Sequence, residues 1–160
     1  MKSIYLFPNK LKIPALMVFI ISLTLVILIP FEIAYELRVP VFAIASDHFL
    51  SSENSFYLSF GKEDIYNELV DLLFFSSGII LAFSKEKTED EMIGLIRYKS
   101  ITNATYFTFI LLIISEFLIF GMPFVYIIMF FYYAFILFLN IFYYTKLFIY
   151  KKQFSYENED

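Results

Sequence analysis

The chain has 160 residues, of which 60% are hydrophobic, 22% aromatic and 18% charged. A soluble domain carries about 45–50% apolar and about 25% charged residues, so this apolar excess exceeds what one water-soluble core can bury. Zero Cys and one His exclude thiolate metal sites, disulfide frameworks and two-His metal motifs. A net charge of −4 leaves no basic field for a nucleic-acid backbone. Gly61, Gly78, Gly94 and Gly121 lie too far apart to cradle a phosphate. The composition is that of a membrane protein.

The first span is predicted over residues 13–31, a run without charge. At 1.5 Å per residue it measures about 28 Å, close to a hydrocarbon core of about 30 Å. Pro14 suits its first turn and Pro30 its exit. A signal peptide is the rival reading, with Lys2, Lys10 and Lys12 before the run and Ala43-Ile44-Ala45 after it. That cleavage-like site lies too far beyond the run, across Glu32, Glu36 and Arg38, so a retained span is favoured. The loop 32–64 holds strand-like stretches at Leu37–Ile44 and Phe56–Phe60, around the polar Ser46–Ser55. They predict a small hairpin on the membrane surface. Asp47, His48 and Glu53 are of metal-ligating type, but a lone His in a polar turn reads as solvated.

The second span is predicted over 65–84, with Glu68 and Asp71 near its start. In the segment 85–103, Thr88 and Glu91 fit a capping box, so the third helix is expected to begin near Glu89. Met92, Ile93, Ile96 and Ser100 then share a face, with Arg97, Tyr98 and Lys99 at the membrane boundary. Lys85, Lys87, Glu91, Arg97 and Lys99 read first as a solvated helix start and second as a docking surface for a partner. From Ala104 to Tyr144 the only charge is Glu116. One helix of that length would run about 60 Å, twice the core, so the chain must fold back. Gly121-Met122-Pro123 is the only break, giving spans over 104–120 and 123–144 and a tail over 145–160.

With four spans, ten Lys and Arg residues collect on one side and two on the other. The positive-inside rule then places both termini in the cytoplasm. The expected fold is an all-α, polytopic four-helix bundle forming a single membrane domain.

Asp71 and Glu116 fall about 21 Å and about 18 Å from the inner boundary, a similar depth in the outer half of the bilayer. Intramembrane carboxylates are expensive, and the first reading is structural, a carboxyl hydrogen-bonded to Ser115, Ser76 or a Tyr to fix helix packing. A cation or proton path is the alternative. Ser76, Ser77, Gly78 and Ala82 form a small-residue face for close packing, within the chain or between protomers. The fourth span is nearly all Phe, Tyr, Ile and Leu, with Asn140 near its inner end, and reads as lipid-facing or as an oligomer contact. Tyr143, Tyr144 and Tyr150 suggest an inner aromatic belt. No nucleophile–His–carboxylate set and no paired Asp motif appears, so neither an enzyme nor a cofactor is expected.

Residues 4–12 (IYLFPNKLK), 39–43 (VPVFA) and 82–91 (AFSKEKTEDE) together resemble small uncharacterised four-span membrane proteins common in Bacteroidetes. The resemblance spans most of the chain, and the FSKEK-x-EDE run is its most specific part. It implies a bacterial inner-membrane location, a single four-span unit and a basic third-helix start matched by Arg97, and it assigns no site residues. Small multidrug exporters also have four spans, but their key Glu lies in the first, which is uncharged here. The function expected is association, with itself or a membrane partner in the lipid bilayer. A small cation or proton conductor using Asp71 and Glu116 is the alternative.

Overall fold

The structure is a computed structural model that describes residues 6–28, 36–46 and 56–157. A 3-10 turn over Asn9–Leu11 leads into helix α1, Lys12–Leu28. Strands β1, Arg38–Ser46, and β2, Phe56–Asp64, form an antiparallel pair. Helices α2, Tyr66–Ala82, α3, Glu91–Leu118, and α4, Met122–Glu157, complete the chain. The described residues are therefore mostly helical, with one two-stranded sheet. Three segments, Asn9–Leu28, Glu91–Leu118 and Met122–Gln153, are long and apolar enough to cross a membrane. The 17 residues of α2 make a rod of about 26 Å. The expected exit of the first span at Pro30 and the trio Asp47, His48 and Glu53 lie outside the described residues.

Local chemistry explains the boundaries. Gly121 takes φ +73°, a left-handed turn that costs glycine little, and Pro123 follows in the first turn of α4. The cap of α3 is Asp90, one residue before the helix, and not the expected Thr88. Its side chain accepts from the Ile93 N–H at 2.7 Å. An Asp at that position satisfies an orphan donor and opposes the helix dipole at once. Beyond Tyr144, the segment expected as the tail continues α4 as helix to Glu157. At 36 residues, α4 runs about 54 Å, well beyond a hydrocarbon core.

The chain divides into two compact units. In the unit made of Met1–Ile20 and Phe74–Asp160, parts of all four helices pack together. Phe19 of α1 stacks on Phe74 of α2 at 5.1 Å, and Phe74 meets the Tyr133 ring of α4 edge-on at 5.6 Å. Ile93 and Ile96 of α3 pack with Tyr143 and Leu147 of α4, and Ala104 with Ala82 and Leu139. This core is confined to one end of the α3–α4 pair. From Phe109 to Tyr133 no residue is buried.

The other unit, Ile21–Leu73, contains the hairpin. Its register pairs Arg38 with Asp64 and Phe42 with Phe60. Asp64 joins the hairpin to α2: its Oδ1 accepts from the Leu37 N–H at 2.9 Å and the Tyr66 N–H at 3.1 Å. Those two backbone donors hold the exposed Asp64 carboxyl below its ordinary value.

Candidate functional site

The most concentrated polar chemistry among the described residues surrounds Glu86, in the connection between α2 and α3. The Glu86 side chain is 4% exposed and takes two cations, Lys12 from α1 and Lys151 from α4 at 2.9 Å. The Tyr143 hydroxyl, on α4, also donates to Glu86 Oε1, at 3.1 Å. Tyr143 is fully buried and in turn accepts from Arg97 Nη2 at 3.1 Å. Arg97 uses its other donors on the Glu89 carboxylate at 2.8 Å and on the carbonyls of Ala82 and Ser84. A guanidinium thus meets the last carbonyl of α2 and the connection just beyond it, where orphan acceptors and the dipole both favour a cation.

Neighbouring bonds extend the network. The Phe7 N–H donates to Phe83 O and the Lys85 N–H to Phe7 O, while the Asn9 amide donates to Lys85 O. The residues before α1 are thereby paired, strand-like, to the α2–α3 connection. The Tyr144 hydroxyl donates to Leu81 O and the Tyr150 hydroxyl to Asp90 Oδ2. Of the three tyrosines expected as an inner aromatic belt, Tyr143 is buried and Tyr144 and Tyr150 are half-buried, each with its hydroxyl hydrogen-bonded. One carboxylate, Glu86, connects the N-terminal segment, the α2–α3 connection and α4. Arg97 connects α3 to the end of α2, the α2–α3 connection and α4.

Burial alone pushes the Glu86 carboxyl up, but hydrogen bonds and charge from Lys12 and Lys151 outweigh it and hold the group below its ordinary value of 4.5. A carboxyl depressed in the folded state stabilises the fold above its unfolded value. That stabilisation is lost as pH falls through the folded value. In detergent micelles, the wild-type helical signal should therefore hold below about pH 4.5 before an acid transition. Removing one cation in Lys12→Met should move that transition upward. An unchanged midpoint would detach Glu86 from acid stability.

The residues singled out in the sequence fall in several places. Asp71 lies half-buried in the unit Ile21–Leu73, whereas Glu116 is exposed on α3 in the other unit. Ser77 and Ala82 are buried, and the Ser77 hydroxyl donates to Phe74 O at 3.2 Å. A Cβ on Gly78 would come within 2.4 Å of Ile136 Cγ2 and 2.9 Å of Phe19 Cε2, so the glycine sets a three-helix contact. Lys85, Lys87, Glu91 and Lys99 are exposed. Arg97 differs from that group. It is 7% exposed and turned inward, so it is not part of an open docking surface. Met92 also leaves the expected apolar face and is exposed, while Ile93, Ile96 and Ser100 are buried.

Glu86, Glu89, Tyr143 and Lys151 were not singled out by sequence reasoning as a site. The signal for Tyr143 is its place in the row Leu139, Tyr143, Leu147, where a phenol on a core face needs a hydrogen-bond partner. Comparison with family models, with curated proteins and with solved structures finds no match to the chain. Chemically, the network pairs carboxylates with cations and joins them through phenol hydrogen bonds. Its evident capacity is to fix the relative positions of four chain segments.

Proposed function

We propose that this chain is a non-enzymatic, four-span protein of the bacterial inner membrane that acts by associating with itself or with a membrane partner. The observation that carries the reading is the stretch from Phe109 to Tyr133. It is almost wholly apolar, has Glu116 as its only charge and contains no buried residue. Phe117, Leu118, Phe120 and Tyr126 are each at least 70% exposed. An apolar surface this continuous is untenable in water and needs lipid or protein against it. Ten of the twelve Lys and Arg residues fall on one side of four spans, which favours cytoplasmic termini with the Glu86 network at the inner boundary. The resemblance to four-span Bacteroidetes membrane proteins points the same way.

Association is tested with a photo-crosslinking residue in place of Tyr126, which is 70% exposed. Illumination of intact cells is expected to give a defined product of twice the monomer mass or a discrete heavier adduct. A protein that stays monomeric, with only lipid adducts, would sink the association reading.

A further inference from the structure

The hairpin has an apolar face that is exposed among the described residues. Phe42 and Phe60 are cross-strand partners with ring centroids 5.3 Å apart, and they are 54% and 77% exposed. Ile44 and Leu58, two residues from Phe42 and Phe60 along the strands, are 74% and 70% exposed. None of the hairpin side chains described is buried. A two-stranded hairpin is marginal by itself in water, and an exposed aromatic pair adds to the deficit. Leu58 also holds φ 48°, a left-handed conformation that costs a leucine energy.

We infer that this face docks into the headgroup layer of the outer leaflet, with Phe42 and Phe60 as the inserted residues. The inference rests on the four-span reading. Its argument is continuity with the second span. Only Ile65 separates β2 from α2, and Asp64 binds the Leu37 and Tyr66 N–H groups across that junction. On the four-span reading, the 17-residue α2, at about 26 Å, is shorter than a core of about 30 Å, which draws its first residue to the boundary. The base of the hairpin is thereby held in the headgroup layer. Strands of nine residues, about 30 Å long, can lie along the interface with one face down. Arg38 and Lys62 at the base are matched by Glu36, Glu63 and Asp64, so charge does not select an anionic lipid. The contact is apolar, and a zwitterionic phosphatidylcholine surface suffices.

The chain contains no Trp, so a single introduced indole reports its own surroundings. Phe60→Trp and Phe42→Trp read the apolar face. Ser59→Trp reads the next position along β2, on the opposite face, and Phe130→Trp reads the apolar surface of α4. Each is reconstituted at full length in phosphatidylcholine vesicles with and without acyl-brominated phosphatidylcholine. Phe60→Trp and Phe42→Trp should emit to the blue of Ser59→Trp and quench about twofold more, as expected for insertion at the headgroup–acyl boundary. Raising the salt should leave that difference unchanged. If Phe60→Trp and Phe42→Trp are unquenched while Phe130→Trp is quenched, the docking inference is overturned and the span reading stands. If Phe130→Trp is also unquenched, the span reading itself fails. Blue-shifted emission that resists bromolipid but vanishes on dilution would assign the face to a second copy and overturn the lipid assignment.

Discussion

Glu86→Leu is expected to be the most destabilising single substitution in the charged network. The lost carboxylate takes with it the acceptor that Lys12, Lys151 and Tyr143 share. Breaking a buried pair from one side costs about 3–5 kcal/mol because the remaining charge is desolvated and unpaired. Lys12 has a side chain 20% exposed and recovers some hydration, which favours the low end of that range. For a chain of this size, about 3 kcal/mol lowers Tm by about 6–12 °C, readable by circular dichroism in detergent. Lys151→Met makes the comparison decisive. Its side chain is 52% exposed, and a solvated ion pair contributes about 1 kcal/mol or less. The double variant Lys12→Met/Glu86→Leu should regain part of the loss, since it leaves no buried unpaired charge between those positions. Equal melting losses for Glu86→Leu and Lys151→Met would refute the central place given to Glu86.

Gly78→Ala is expected to destabilise, against the usual preference of helices for alanine. In an open helix position the exchange gains about 1 kcal/mol. Here the new Cβ meets Ile136 Cγ2 at 2.4 Å and Phe19 Cε2 at 2.9 Å, both on side chains that are nearly fully buried. Overpacking of this kind costs about 1–3 kcal/mol, so the net effect is a loss. Gly94 supplies the matched control: nothing lies within 4 Å of its added Cβ, and Gly94→Ala should stabilise. Ile136→Leu removes the clashing Cγ2 at nearly constant volume and should restore much of the loss in the Gly78→Ala background. Failure of that rescue, or a stabilised Gly78→Ala, would show that α1, α2 and α4 do not meet as described.

What was legible in the sequence was legible for local reasons. A proline cannot continue a helix from the preceding turn, and a glycine tolerates positive φ. Gly121-Met122-Pro123 therefore marks the turn between α3 and α4 without tertiary information. The strands follow equally from β-branched and aromatic runs on either side of a polar stretch. The cap of α3 was misplaced by two residues because Thr88 and Asp90 both suit the position, and only the chain's path selects Asp90.

The Glu86 network was hidden for a different reason. Arg97 and Tyr143 are 46 residues apart and Tyr143 and Glu86 are 57 apart, so no spacing rule connects them. A charge run ordinarily reads as a solvated face, and Arg97 has the composition of one. Its inward turn depends on the Ala82 and Ser84 carbonyls at the end of α2, which become neighbours only after folding. The extension of α4 was equally obscured. Lys146, Lys151 and Lys152 look like the start of a solvated tail, yet Lys151 contributes a bond to Glu86 from the helix.

The proposed function assumes four spans with cytoplasmic termini, and cysteine accessibility tests that topology most directly. The chain contains no Cys, so each introduced thiol is unique. Ser59, Lys87, Met122 and Lys152 are all exposed and suit substitution by cysteine. In intact spheroplasts, a membrane-impermeant maleimide is expected to label Ser59→Cys and Met122→Cys. Lys87→Cys and Lys152→Cys should label only after the membrane is opened. Labelling of Lys87→Cys from outside, or of Met122→Cys and Lys152→Cys on the same side, would contradict four spans with cytoplasmic termini.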